Sequence, residues 1–190
     1  PLPWYAETAA DQGAWMSIIE TERLVVRMWT DDPADLDRIR DIYSRDEVMR
    51  WLGGGSVTSD APLLLERWRA VHERDSRLGC WAIEVRETGV VAGTLLLKPL
   101  PGDGGEIEVG WHLHPDSWGH GYATEAARAA LAHGFAHGLP VIYAVVRPDN
   151  ERSLAVVRRL GMRPLGRTDR WYGQELELFA AYAPGGDEAA

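Results

Sequence analysis

The segment Trp118-Gly119-His120-Gly121-Tyr122-Ala123-Thr124-Glu125 carries the strongest chemical signal in the chain. Two glycines one residue apart let the backbone turn tightly and come close to a ligand. A helical pattern opens beside them and runs through Phe135. The first turn of a helix offers unpaired N–H groups at the positive end of its dipole. An apolar run, Ile107 to Leu113, leads into the turn. Strand, glycine turn and helix start together make an anion site, most naturally for a phosphate or pyrophosphate. Glu106 and Glu108 lie on one face of that strand by its period of two. Histidines form a second candidate set. His112 and His114 share a strand face, and His133 and His137 stand four apart on a helix. This resembles ligand spacing, but the zincin pattern needs Glu beside the first His, and Gly134 stands there. No metal is therefore expected. Cys80 has no His or basic neighbour to activate it and is expected in the core beside Trp81.

These residues need a scaffold to hold them. Leu24 to Trp29 reads as a strand. Asp31, Asp32 and Pro33 start a helix with Leu36, Ile39, Ile42 and Tyr43 on one face. After a Gly53–Gly55 loop, Ser59 or Asp60 caps a second helix with Leu64, Leu65, Trp68 and Val71 inside. Cys80–Val85 and Val90–Leu97 pair as a hairpin, and Glu106–Leu113 is the next strand. A helix from Gly121 to about Gly134 follows. The nearly all-apolar run Pro140–Val146 predicts a strand buried on both faces. Asn150 caps a helix over Glu151–Leu160 that Gly161 ends. Met162–Arg167 and Glu175–Ala181 make a last pair of strands, joined near Trp171–Gly173. The order β-α-α-β-β-β-α-β-α-β-β predicts an α/β (α+β mixed) fold, with a mixed central sheet of about seven strands and helices on both faces.

Composition bounds the function. A chain of 190 residues, 45% hydrophobic and 26% charged, fits one soluble domain with a real core. A net charge of −9 argues against nucleic acid and is compatible with a cationic or amine substrate. A single cysteine excludes an internal disulfide framework and fits a reducing cytoplasm. No apolar run reaches the length of a membrane span, so a cytoplasmic protein without a membrane partner is expected. Residues 1–15 have no clear period and read as a leader of undetermined order; residues 16–183 read as one domain, and 184–190 as a frayed tail.

With these elements in order, the chain resembles the Gcn5-related N-acetyltransferases, the GNAT family, and within it the Rim-type ribosomal-protein N-terminal acetyltransferases. The likeness rests on Thr21-Glu-Arg-Leu24, Glu108-Val-Gly-Trp-His-Leu113, Trp118 to Glu125, Asn150-Glu-Arg-Ser153 and Leu160-Gly-Met162. It implies a mostly antiparallel acyl-CoA N-acyltransferase fold and acetyl-CoA as co-substrate. The family's loop has the form Arg/Gln-x-x-Gly-x-Gly/Ala; here Trp118 takes the first position, as in Rim-like members, and Gly121 and Ala123 take the glycine positions. Backbone contacts from Gly119, His120, Gly121, Tyr122, Ala123 and Thr124 to the pyrophosphate are implied. In that fold the strand before the loop splays from its neighbour and pantetheine lies in the gap, at positions matching Trp111, His112 and Leu113.

The implied chemistry is attack of a neutral amine on a thioester. An α-amine has a pKa near 8 and a lysine amine about 10.4, so a base or water path helps. Glu108 stands where the family pattern often carries the base; its bland alternative is a solvated or salt-bridged strand residue. Ser153 is implied as a hydrogen-bond partner of the CoA sulfur, because the tyrosine many members use, seven residues after Asn150, is here Val157. Its alternative is a local hydrogen bonder in a first helical turn. Asn150 contacts pantetheine or caps its helix, and one acceptor leaves room for both. Arg128, Arg152 and Arg158 reach the CoA 3′-phosphate or remain surface charges, and Trp51 and Trp171 lie toward the acceptor side. The implied acceptor is a protein N-terminus or a small amine, and a homodimer is one implied assembly. The alternative from another class is a non-catalytic acyl-CoA sensor. A Rossmann fold is disfavoured because Thr124 stands where a third glycine belongs.

Overall fold

The computed structural model describes residues 17–52 and 58–185. The expected leader, the Gly53–Gly55 loop and most of the tail lie outside the described residues. The elements in chain order are β1 (Ser17–Glu20), β2 (Leu24–Met28), α1 (Pro33–Ser44), α2 (Asp46–Met49), α3 (Ala61–Arg74), β3 (Gly79–Val85), β4 (Val91–Pro99), β5 (Ile107–Leu113), α4 (Tyr122–Ala136), β6 (Val141–Val146), α5 (Glu151–Leu160), β7 (Arg163–Thr168) and β8 (Leu176–Tyr182). They form one sheet in the order β1-β2-β3-β4-β5-β6-β8-β7, antiparallel except at β5–β6.

Local chemistry sets the helix limits. Asp32 accepts the Ala34 N–H at 2.9 Å, with Pro33 in the first turn of α1. Asp60, not Ser59, caps α3 by accepting the Leu63 N–H. Asn150 accepts the Ser153 N–H, and left-handed Gly161 (φ 71°) ends α5.

The sheet has two covered faces. Ile39, Ile42 and Tyr43 of α1 and Leu64, Leu65 and Trp68 of α3 pack with Cys80, Ala82 and Leu96 of β3 and β4 on one side. Ala126, Ala127, Ala130 and Leu131 of α4 and Leu154 and Val157 of α5 cover Ile83, Leu95, Val109 and Ile142 on the other. Central β4 is buried from Val91 to Leu97. A further buried knot holds α1 to β2: Asp35 accepts two hydrogen bonds from Arg27, at 2.8 and 3.0 Å, and two from Thr30.

Three expectations need correction. The sheet has eight strands, because Ser17–Glu20 pairs with β2 although its four residues are too few to show a period. The one-turn helix α2 was not anticipated. β6 is not buried on both faces; Ile142, Ala144 and Val146 are buried while Val141, Tyr143 and Val145 are only half-buried. Helices α4 and α5 cover one side of that end of the sheet, and β7, at its edge, is exposed along nearly its whole length.

Candidate active site

The sheet opens where its hydrogen-bonding changes direction. β4 and β5 pair over their whole length, from Gly93 opposite Leu113 to Pro99 opposite Ile107. β5 and β6 are paired only at Glu108 and Tyr143. Beyond that point β5 runs on to Leu113 with no strand partner on that side among the described residues. A cavity of about 1060 Å³ extends from this gap, between the starts of α4 and α5, to α2.

The loop that ends at α4 forms one wall. Gly119 (φ 82°) and Gly121 (φ 80°) are both left-handed, which bends the chain so that Gly121 caps α4 without using a side chain. The first intrahelical bond is Glu125 N–H to Gly121 O, so the N–H groups of Tyr122, Ala123 and Thr124 have no carbonyl one turn back. The Thr124 hydroxyl is buried, lies in the cavity wall and has no hydrogen-bond partner among the described residues. Buried polar groups are normally satisfied. A cluster of unmatched donors at the positive end of a helix fits a bound anionic group such as the pyrophosphate of acetyl-CoA.

A brace across the fold holds this loop. The Glu125 carboxylate accepts the Thr21 hydroxyl at 2.6 Å, the Arg23 N–H at 3.0 Å and the Arg23 Nε–H at 2.7 Å. Burial alone would raise the Glu125 pKa, but these hydrogen bonds and the guanidinium outweigh it and keep it below the usual range. Arg23 also donates to the His120 carbonyl and lies over the Tyr122 ring, on which His120 stacks. The Thr21–Leu24 motif is thus the mechanical support of the glycine turn.

Of the residues singled out from sequence, Trp111, His112, Leu113, Trp118, Gly119, Gly121, Tyr122, Ala123, Thr124, Asn150 and Ser153 line the cavity; Glu108 and His120 are not in its wall. Trp118 donates its indole N–H to the Leu113 carbonyl, and Arg152 covers its ring at 4.1 Å. Val157 is fully buried. Arg128, Arg152 and Arg159 stand in the cavity wall along α4 and α5, whereas Arg158 lies outside it, 3.6 Å from Glu151. An acidic chain thus places three guanidinium groups on the side where a polyanion would lie. Trp51 lines the far end with Val48 and Leu52 of the α2 region. Trp171 is instead buried, with Arg170 over its ring.

The titratable groups of β5 follow one another along one face of the strand. Glu108, Gly110 and His112 lie across from Lys98, Leu96 and Thr94 of β4. His112 Nδ1 is 2.9 Å from the Tyr43 hydroxyl, which donates to Thr94. Burial, helped by the Lys98 charge, drives the His112 pKa down to about 3, so the ring is neutral at ordinary pH. Glu108 is buried. Its Oε1 is 2.6 Å from Lys98 Nζ and accepts the Tyr172 hydroxyl, which itself accepts from Lys98 at 3.0 Å. Glu106 pairs with Arg170. Sequence reading missed Lys98 and Tyr172 because strand register and a hairpin turn bring them to Glu108.

The two histidine pairs do not meet in one site, although the His133 and His137 rings lie 4.3 Å apart. His114 lies past the end of β5, buried against Asp41 and Asp116, so it does not share the setting of His112. His133 and His137 each contact a backbone carbonyl. Among the described residues no group of three or more His, Cys, Asp or Glu is placed to hold a metal. Cys80 is buried, and its thiol is pushed up to about 12. No helix among the described residues is long and apolar enough to cross a membrane.

Comparison with known proteins agrees with this architecture. The family model described as "Acetyltransferase (GNAT) domain" matches residues 23–163. The chain is 32% identical over 152 residues to the uncharacterized N-acetyltransferase YoaA of Bacillus subtilis (strain 168), covering 78% of this chain and 84% of that protein. An acetyltransferase from Agrobacterium tumefaciens str. C58 superposes with a TM-score of 0.73 at 27% identity, covering 86% of this chain and 93% of that one. Mycobacterium smegmatis RimJ, solved in complex with CoA-disulfide, shares the fold with a TM-score of 0.69 at 23% identity, over 84% of this chain and 82% of its own. From the split sheet, the glycine turn at the head of α4 and a family match spanning most of the chain, we conclude that this protein belongs to the GNAT family and is an acetyl-CoA-dependent N-acyltransferase.

Proposed function

We propose that the chain transfers acetyl from acetyl-CoA directly to a primary amine in a ternary complex, and that the amine is a protein N-terminus or a small amine. The observation that carries the reading is the single cavity. It joins the unmatched donors at α4 to the open edge of β5 and then to the apolar wall at Val48, Trp51 and Leu52. The first two regions suit a long anionic donor, and the third leaves room for an acceptor beside its reactive end.

The residues divide the work. Backbone N–H groups from Gly119 to Thr124 hold the pyrophosphate, with Arg128 and Arg152 on its flank. Trp111, His112 and Leu113 offer the unpaired strand edge to pantetheine. Asn150 caps α5 with one acceptor and so fixes Ser153 at the cavity wall. The amine N–C bond forms as the C–S bond breaks. The acceptor reacts as its neutral amine; Glu108, set outside the cavity wall, takes by way of water the one proton that the nitrogen sheds, and CoA leaves as a thiolate to which Ser153 donates a hydrogen bond. Likeness in fold to RimJ does not choose between a protein N-terminus and a small amine, since acceptor choice is set by the site and not by the fold.

An acetyl-CoA-dependent thiol-release screen across N-terminal peptides and small amines tests the reading. Release with at least one acceptor, lost about 100-fold in Glu108→Gln, is expected. Full activity in Glu108→Gln removes Glu108 from the mechanism. Tight acetyl-CoA binding with no release across the panel would instead mark a non-catalytic sensor.

A further inference from the structure

Tyr172 is the only non-glycine residue with positive φ (59°) among the described residues. It sits on the turn between β7 and β8, just before left-handed Gly173. Non-glycine residues hold this conformation only where surrounding contacts over-determine it, and such positions gather at functional sites. Here the contacts are those to Glu108 and Lys98. The Lys98 ammonium also lies 5.5 Å from the centroid of the Tyr172 ring. Burial and the Glu108 charge both raise the Tyr172 pKa, so the phenol keeps its proton and remains a donor.

Both contacts fall on the same carboxylate oxygen. Tyr172 donates to Oε1, and the Lys98 ammonium comes within 2.6 Å of the same oxygen. We propose that Tyr172 and Lys98 are positioning residues that clamp Glu108 through Oε1 and leave Oε2 as the oxygen that receives the acceptor's proton. The inference rests on Glu108 serving as the base in the proposed reaction. A carboxyl group free to rotate would present either oxygen in many orientations. One oxygen tied from β4 and from the β7–β8 turn fixes the plane of the group and aims the other.

The surrounding charges are few. Lys98 comes from β4, Tyr172 from the β7–β8 turn, and Tyr143 lies opposite Glu108 on β6. Cys80 of β3, with its thiol pushed up to about 12, stays neutral. His112, further along β5, is neutral as well, and Glu106 is matched by Arg170. Lys98 and Tyr172 are therefore the groups whose removal changes the field at Glu108 most directly.

The test uses the full chain carrying Tyr172→Phe, Lys98→Met or Glu108→Gln. Removing a hydrogen-bond donor or a cation beside a carboxylate makes it easier to protonate. The acid limb of kcat/KM, measured with the fastest acceptor from the thiol-release screen, is expected to move to higher pH by about one unit in Tyr172→Phe and in Lys98→Met. kcat should fall about tenfold while KM for acetyl-CoA stays constant. A carbon-13 titration of the Glu108 carboxyl, assigned by its absence in Glu108→Gln, reads the same coupling without any acceptor. An unmoved titration in both variants overturns the clamp. A moved titration with full turnover in Glu108→Gln overturns the base reading, and with it the clamp's role in the reaction. Loss of turnover in Glu108→Gln with an unmoved acid limb in Tyr172→Phe and Lys98→Met overturns the clamp alone.

Discussion

Gly121→Ala isolates the contribution of the glycine turn. Gly121 has φ 80°, and a Cβ added there would meet nothing nearer than Arg23 Nη2 at 3.5 Å, an ordinary contact. The cost is therefore purely conformational, about 1–2 kcal/mol for an L-residue in the left-handed region. The loop is partly exposed, so the variant can relax when the cavity is empty and must recover the strained shape to present its N–H groups. Affinity for acetyl-CoA should then weaken by roughly 5- to 30-fold. Gly161, which ends α5 with φ 71° and open space around its missing Cβ, supplies a matched control outside the cavity wall. Gly161→Ala carries the same strain but should only lower Tm, by about 2–4 °C per kcal/mol for a chain of this size. Asn tolerates the left-handed region better than Ala, so Gly121→Asn should recover part of the affinity. Calorimetric titration with acetyl-CoA and thermal melts on the three variants decide the matter. Equal affinities for Gly121→Ala and Gly161→Ala would refute the idea that the turn's shape holds the donor.

Three more expectations follow from contacts in the structure. Thr124→Val removes a buried hydroxyl that has no partner among the described residues, so Tm should stay near wild type while acetyl-CoA affinity falls about tenfold in the same titration. Asp35→Ala strands the buried Arg27 guanidinium; breaking a buried pair costs about 3–5 kcal/mol, and the remaining Glu84 contact keeps the loss near about 3 kcal/mol in urea unfolding. His112 has a pKa depressed to about 3 in the folded chain, so the unfolded state binds the extra proton first. The stability from its neutral burial is present above about pH 6.5 and is lost as pH falls toward 3, with a slope of at most about 1.4 kcal/mol per pH unit. His112→Gln should flatten that part of the stability profile, and an unchanged profile would refute the assignment.

The helix ends were legible because their signals are local. Asn150 and Gly161 bound α5 where expected, and Asp32 with Pro33 starts α1. The glycine turn was legible for the same reason, since two glycines before an alanine-rich helix have few other uses. Pairing information was not. Ser17–Glu20 becomes a strand only because β2 lies beside it. The apolar run of β6 looks the same whether one face or both are covered, and only the positions of α4 and α5 decide it. Lys98 and Tyr172 lie 10 and 64 residues from Glu108 in the sequence, and register and a turn bring them to one carboxylate oxygen.

The brace from Thr21 and Arg23 to Glu125 means that the donor-binding loop is not a portable module. Its two parts are separated by about a hundred residues of chain, yet neither has its shape without the other. Grafting residues 118–125 onto another scaffold would transfer the glycines and lose their support unless the turn at 21–23 were grafted with them. For the same reason, redesign of the β1–β2 turn, although it lies at the outer end of the sheet, is in effect redesign of the acetyl-CoA site.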